Sequence, residues 1–358
     1  MIHNAYRNFY KPGRLGRISH LRFVIDRSQC VMKIQIVTPA PPKSTLGNRI
    51  TAERWAKILR QLGHRVSISQ RYDQPSVDLL IALHARRSHS SIARFRRAHP
   101  DTPLVLTLTG TDVYQDIHQK SRARESLALA DRIVVLQPHA LRELTTTQRK
   151  KAVVIYQSVE ALPAWKNQRR ARATNHFDVC VVGHLRPVKD PFRAALAARM
   201  IPASSRIRVI HIGGAISRQM ERQARVEMQS NPRYLWRGAL SRRNTLRSMA
   251  TSDVCVISSL IEGGANVLSE ATVARVPVLA SRIEGNVGIL GANYPGLFSA
   301  TNTQELMKVM LRAESDRKFL RHLQDRIRKL APLFDPKRER AAWSRFLAEL
   351  RNVSELSY

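Results

Sequence analysis

The chain has 358 residues, with 60 Lys and Arg against 27 Asp and Glu and a formal net charge of +33. That length suits two domains of about 150–200 residues rather than one core, and a hydrophobic fraction of 43% argues against disorder. Its apolar runs, such as Ile133–Leu136 and Val179–Val182, are strand-sized, well short of the roughly 18–20 residues that span a bilayer, so no membrane span is expected.

Residues 1–31 are basic, poor in apolar residues and without the hydrophobic stretch of a signal peptide. They read either as a basic extension that is not native, with Met32 as the natural start of the chain, or as an ordered N-terminal arm. From Met32 onward, short apolar strands alternate with amphipathic helices. Lys33–Val37 is the first strand, Thr38–Gly47 a proline-rich loop, and Arg49–Leu62 a helix with apolar residues at helical spacing that stops at Gly63. Strands follow at Arg65–Ser69, Asp78–Leu83, Pro103–Leu108, Asp131–Leu136 and Val153–Ile155. Residues 161–176 are basic, polar and aperiodic, and read as a linker between a first domain, 32–160, and a second, 177–335. The second series has strands at Phe177–Val182, Ile207–Ile212, Tyr234–Trp236, Asp253–Ile257 and Val278–Ala280, then a helix over Thr303–Ala331. After a break at Asp335-Pro336, a last helix runs over Pro336–Leu350 within a C-terminal segment, 336–358, expected to pack back toward the first domain. Strands alternating with helices imply parallel pairing, so the fold class is α/β with two doubly wound sheets and a cleft between them.

The charge by itself suggests nucleic acid or an anionic surface. The Arg residues are, however, spread from end to end without a basic tract interleaved with aromatics. No nucleic-acid partner is therefore expected, and a positive cleft for a small anion fits as well. The three cysteines, Cys30, Cys180 and Cys255, form no CxxC and no zinc-ligand spacing. Cys180 and Cys255 sit in apolar strands as small core residues, and so few cysteines suit a reducing cytoplasm.

Five segments carry chemistry. Glu262-Gly263-Gly264-Ala265-Asn266-Val267-Leu268-Ser269-Glu270 follows a buried strand and opens an apolar helix. Its small residues let backbone N–H groups approach a ligand, a helix N-terminus favours phosphate, and a carboxylate one turn into the helix accepts both hydroxyls of a ribose. Gly183-His184-Leu185-Arg186-Pro187-Val188-Lys189 follows the strand Phe177–Val182 and offers cations to a diphosphate. Gly47-Asn48-Arg49 is a glycine turn opening a helix, where Asn48 would serve equally well as an N-cap. Thr109-Gly110-Thr111-Asp112 follows a strand, with Asp112 as an acceptor contact or as the cap of the next helix. His84-Ala85-Arg86-Arg87-Ser88 ends another strand and supplies adjacent cations for a second anion or a solvated loop. No Asp is followed by another Asp two residues on, so the carboxylate pair that holds a divalent cation on a diphosphate is missing. A metal-independent enzyme without cofactor is expected.

The Glu262–Glu270 spacing, Glu-x7-Glu, resembles glycosyltransferase family 4. The resemblance implies a GT-B fold of two Rossmann-like domains and a UDP-sugar as substrate. Glu270 would then bind the nucleotide ribose, while Glu262, Gly263, Gly264, Asn266 and Val267 face the donor sugar and nucleotide. Arg186, Lys189 and Gly47 would face the diphosphate. Two departures stand out: His184 occupies the position of the family's Arg, leaving Arg186 as its substitute, and Thr109 stands where relatives have a His near the acceptor. Together with Gly47–Ala52, Ala82–Ser88, Leu108–Asp112, Ser281–Gly291 and Tyr294-Pro295-Gly296, the motifs are similar to the selenosugar synthases of selenoneine biosynthesis over most of residues 32–350. That resemblance implies selenophosphate as acceptor, met by Asn48, Arg49, His84, Arg86, Arg87, Thr109, Gly110, Thr111 and Asp112. A soft anionic nucleophile needs no base, which makes Thr109 tolerable, but it does need cations. The alternatives are a family 4 enzyme acting on a hydroxyl acceptor, a UDP-sugar epimerase on the same fold, and a nucleic-acid-binding protein. The oligomeric state, the sugar and the anomer stay open.

Overall fold

Twelve strands fall into two sheets in this computed structural model, which describes residues 31–73, 76–161 and 175–355. The expected basic extension, apart from Val31, lies outside the described residues, as do Cys30, most of the expected linker and the last three residues.

The first sheet contains β1 (Lys33–Val37), β2 (Arg65–Ser69), β3 (Leu79–Leu83), β4 (Leu104–Leu108), β5 (Arg132–Val135) and β6 (Ala152–Val154), in the order β2-β1-β3-β4-β5-β6. All its pairings are parallel. Its crossover helices are α1 (Gly47–Gln61), α2 (His89–Ala98), α3 (Ile117–Gln119), α4 (Ser121–Leu129) and α5 (Thr146–Lys150). The second sheet contains β7 (Phe177–Val182), β8 (Ile207–Ile212), β9 (Tyr234–Trp236), β10 (Val254–Ile257), β11 (Val278–Ser281) and β12 (Leu297–Phe298), in the order β12-β11-β10-β7-β8-β9, again all parallel. Its helices are α6 (Arg193–Arg199), α7 (Arg218–Ser230), α8 (Arg242–Ala250), α9 (Asn266–Val273), α10 (Glu284–Leu290), α11 (Thr303–Ser315), α12 (Arg317–Leu330) and α13 (Pro336–Glu355).

Helices on both faces of a parallel sheet bury its central strands completely. The sequences Leu-Leu-Ile-Ala-Leu of β3 and Leu-Val-Leu-Thr-Leu of β4 are buried at every position, whereas edge strand β2 is half-exposed. Cys180 and Cys255 face each other across β7 and β10, both fully buried and free. The strand order reverses between β1 and β3 in one sheet and between β7 and β10 in the other. In such sheets ligands sit beyond the carboxyl ends of strands at these reversals, and those ends carry the chemistry-bearing loops named above.

Three local differences from the sequence reading have physical causes. The helix over Thr303–Ala331 is two helices, because Asp316 leaves helical geometry and its Oδ1 accepts the N–H groups of Lys318 and Phe319, each at 2.9 Å, as an N-cap. Asn48 is not a cap: it lies inside α1, whose N-cap is Leu46 with no side-chain hydrogen bond. The short strand β12 goes unread because two residues carry no periodicity.

The last helix, α13, leaves the second sheet and packs on the first. Trp343, Phe346, Leu347 and Leu350 join Trp55 and Leu59 of α1 in one buried cluster. The Trp55 and Trp343 rings meet edge-on, centroids 4.8 Å apart, an arrangement worth about 1 kcal/mol beyond area burial. Glu339 secures this crossing, its carboxylate accepting from Trp55 Nε1 and from the Ser158 N–H, each at 2.8 Å.

Candidate active site

A cleft of about 290 Å³ opens where the two strand-order reversals face each other. From the first sheet it is lined by Thr45, Gly47, Asn48, His84, Arg87, Thr109, Gly110 and Thr111, and from the second by Gly183, His184, Arg186, Lys189, Arg242, Glu262, Gly264, Asn266, Val267 and Glu270.

The wall contributed by the second sheet is already ion-paired. Glu262 is buried after β10 and accepts from Lys189 Nζ and from Ser259 Oγ, the latter at 2.6 Å. Glu270 is buried on α9 and accepts from Arg242 Nη1 at 2.6 Å. Burial raises its carboxyl above the ordinary carboxylate range, while Arg242 and Arg54 pull it back down. The loop after β7 is held from beneath by His211. This fully buried imidazole donates from Nε2 to the Gly183 carbonyl at 3.1 Å and accepts the Tyr234 hydroxyl at Nδ1, 3.0 Å away. Desolvation pushes His211 down to about 4, so it stays neutral near neutral pH. At the same loop, a Cβ on Gly213 would lie 1.9 Å from the Gly183 oxygen, an approach that only glycine permits.

His184, in place of an expected Arg, ties the two halves together. The Gly214 N–H donates to its Nδ1 at 3.2 Å, so the proton belongs on Nε2. That nitrogen then donates to Thr45, 3.1 Å from the hydroxyl and 3.3 Å from the carbonyl oxygen.

The wall contributed by the first sheet is built differently. His84 ends β3 with a left-handed φ of 77°, uncommon for a residue with a side chain. It is 3% exposed; its Nε2 lies 3.2 Å from the Thr111 hydroxyl and 3.9 Å from the Asp116 carboxylate, and its Nδ1 lies 3.9 Å from that of Asp112. Burial lowers its pKa; Arg87 and Arg86 act in the same sense, against Asp112 and Asp116. Arg87 also lines the cleft. Its charge is disfavoured first by burial and then by Arg186, approaching from the other wall. Neither Arg87 nor Arg186 forms an ion pair among the described residues.

Four of the residues expected at the site do not line it. Asp112 is fully buried and structures the turn: its carboxylate accepts the N–H groups of Thr109, Gly110 and Ala85, at 2.9, 2.7 and 3.1 Å. Arg86 turns to Asp116, with Nε 3.0 Å from its Oδ2. Arg49 pairs with Glu53 along α1 at 2.7 Å. Gly263 is small for another reason than ligand approach: a Cβ there would lie 2.5 Å from the Thr109 carbonyl carbon and oxygen. Gly264 is likewise pressed on Leu136, 2.6 Å from its Cβ. The glycines of the Glu262–Glu270 segment thus let the loops of the two sheets touch. Sequence reasoning missed Arg54, Arg242 and Thr45. Nothing distinguishes one Arg among so many in a sequence, and only the fold brings them to the motif. Among the described residues, no group of three or more His, Cys, Asp and Glu side chains is placed to hold a metal ion.

Residues 165–330, which contain the whole second sheet, match the family described as glycosyl transferases group 1. Solved structures superpose on both sheets. The Anabaena protein HepE in complex with UDP and glucose is similar at a TM-score of 0.71 and 16% identity, over 89% of this chain and 100% of that one. Sucrose-phosphate synthase from Thermosynechococcus elongatus is similar at 0.72 and 16%, over 90% and 100%. A glycosyltransferase from Rickettsia africae is similar at 0.65 and 13%, over 89% and 98%. The fold is GT-B. At these identities the likeness speaks for architecture, and the GT-B cleft is the one built above from the strand-order reversals. Among the described residues, no helix is long and apolar enough to cross a membrane.

Proposed function

We propose that this protein is a glycosyltransferase that transfers a sugar from a UDP-sugar to selenophosphate. The observation that carries the acceptor assignment is the approach of Arg87 and Arg186 from opposite walls, both lining the cleft and neither in an ion pair among the described residues. Like charges brought together at a partly desolvated site are costly unless an anion joins them. The donor assignment is supported by Glu262, Lys189 and Glu270 in the same cleft, and by the group 1 match of the segment that carries them.

In this reading Glu270 accepts the ribose hydroxyls, and the N-terminus of α9 at Asn266 and Val267 faces phosphate oxygens. The selenium of selenophosphate attacks the anomeric carbon while the bond from that carbon to the diphosphate oxygen breaks. The electron pair leaves with UDP, where Lys189 and Arg186 stabilise the growing charge. Lys189 exchanges Glu262 for the diphosphate. Water then cleaves the selenium–phosphorus bond: phosphorus takes the water oxygen as phosphate, and selenium keeps the pair as the selenolate. Thr109, where relatives carry a His, is consistent with an acceptor that arrives already anionic.

A second reading, transfer to a hydroxyl acceptor, is favoured by His84, a buried imidazole kept neutral at the cleft wall and therefore open to a proton. Full-length protein incubated with UDP-GlcNAc or UDP-glucose, and with either selenophosphate or sugar and lipid acceptors, separates the two by mass spectrometry. Selenosugar with stoichiometric UDP is the expected product. A product formed only with hydroxyl acceptors overturns the selenophosphate assignment, and conversion of UDP-GlcNAc without acceptor points to epimerisation.

A further inference from the structure

We propose that Arg54, which reaches the donor motif from the opposite half of the molecule, is a positioning residue for UDP: it holds the Asn266 side chain at the start of α9 and adds its charge beside Glu270. The inference rests on the donor reading above.

Arg54 lies on α1, beneath the cleft rather than in its lining. Its Nη2 donates to Asn266 Oδ1 at 2.7 Å, across 212 residues of chain. Asn266 is the first residue of α9 and does line the cleft. The start of α1 lies near its other side: a Cβ on Gly47 would be in ordinary van der Waals contact with Asn266 Nδ2, at 3.7 Å. The first turn of the donor helix is therefore gripped at its open end by the first sheet's helix.

The second consequence is electrostatic. Four charged groups meet behind the motif: Arg54 on α1, Arg242 on α8, Glu270 on α9 and Glu339 on α13. The Cys255 thiol of β10 also faces Glu270 and is itself pushed up and kept neutral, first by its hydrogen bond to Cys180 and then by burial. Burial works against the charge of both Arg54 and Glu270, and each favours the ionised state of the other. Arg242, 47% exposed, bonds Glu270 directly and is the stronger of the two cations acting on it; Arg54 adds to it from the buried side. Arg54 Nη1 has no accessible surface and no hydrogen-bond partner among the described residues. A ribose hydroxyl binds the carboxylate form of Glu270, so Arg54, added to Arg242, contributes to setting the pH at which the nucleotide is lost. Because Arg54 and Asn266 belong to different halves, donor affinity also reads whether the halves are engaged.

The test is UDP binding by calorimetry between about pH 5 and pH 8, with Arg54→Met and Arg54→Lys each checked by thermal melting. Glu270 loses its charge as pH falls through its folded pKa, and removing a nearby cation raises that pKa. Arg54→Met should bind UDP about tenfold more weakly at neutral pH, with the acid loss of affinity displaced upward by roughly one pH unit. Arg54→Lys, which keeps the charge but not the planar fork, should return the acid limb toward that of the wild type while leaving part of the affinity loss. An Arg54→Met protein with wild-type affinity overturns the inference, and so does equal weakening of both variants at every pH. If Arg54→Met does not fold, the Lys variant decides: an affinity unchanged at every pH counts against the grip on Asn266. A wild-type protein that binds no UDP removes the donor reading, and this inference with it.

Discussion

The two walls of the cleft handle charge in opposite ways. On the second-sheet wall every carboxylate is met by a cation from the protein: Glu262 by Lys189, and Glu270 by Arg242 with Arg54 behind it. On the first-sheet wall the carboxylates are turned away from the cleft, Asp112 into its own turn and Asp116 toward Arg86, while Arg87 is left facing Arg186. A wall of ion pairs exchanges partners when a polar ligand arrives, in a geometry fixed beforehand. Arg87, the cation of the first-sheet wall left without an ion pair among the described residues, gains a partner when an anion arrives and so discriminates by charge. Under the proposed function, the difference makes donor recognition geometric and acceptor recognition electrostatic.

That contrast breaks most decisively at Glu270. Replacing it by Gln keeps the shape but leaves Arg242 and Arg54 facing a neutral group, and UDP affinity should fall about 100-fold, or roughly 3 kcal/mol, by calorimetry. A change of less than about threefold would mean that the carboxylate has no part in donor binding. The junction of the two walls is the next place to press. Gly263→Ala puts a Cβ 2.5 Å from the Thr109 carbonyl, so the loops of the two sheets must separate. Denaturant unfolding should show a loss of about 1–3 kcal/mol, and turnover should fall even at saturating substrate. An alanine tolerated at full stability would show that the two loops do not depend on this contact.

The smallest effect sharpens the comparison, because it separates two neighbours of identical chemistry. Arg87→Ala should raise the KM for selenophosphate about tenfold while leaving the UDP dissociation constant unchanged. Arg86→Ala should leave both unchanged and instead cost about 1–2 kcal/mol of stability, since it strands the Asp116 carboxylate. Reversal of the two phenotypes would place the acceptor on the outer face of the loop.

Much of this architecture was legible in the chain itself. Strands such as Lys33–Val37 and Phe177–Val182 have the bounds read from their apolar runs, because a strand covered on both faces has little choice but to be continuously hydrophobic. The parallel sheets follow from helices alternating with those strands. Glu262 and Glu270 were readable because a strand, a glycine turn and a helix lie together within one local segment. Arg49 and Arg86 were misread because sequence position does not say which side of a helix or turn a long side chain takes. Asp112 was misread because backbone N–H groups claim its carboxylate before any ligand can.

The opening balance of +33 said only that cations abound. Composition and period decided the fold class and put a carboxylate motif at a helix start, since both are consequences of local chemistry repeated along the chain. Which cations face the cleft, why Gly263 must be glycine, and how Arg54 comes to rest against Asn266 were decided only when two sheets built from distant segments closed on each other. A contact across 212 residues has no local signature to be read.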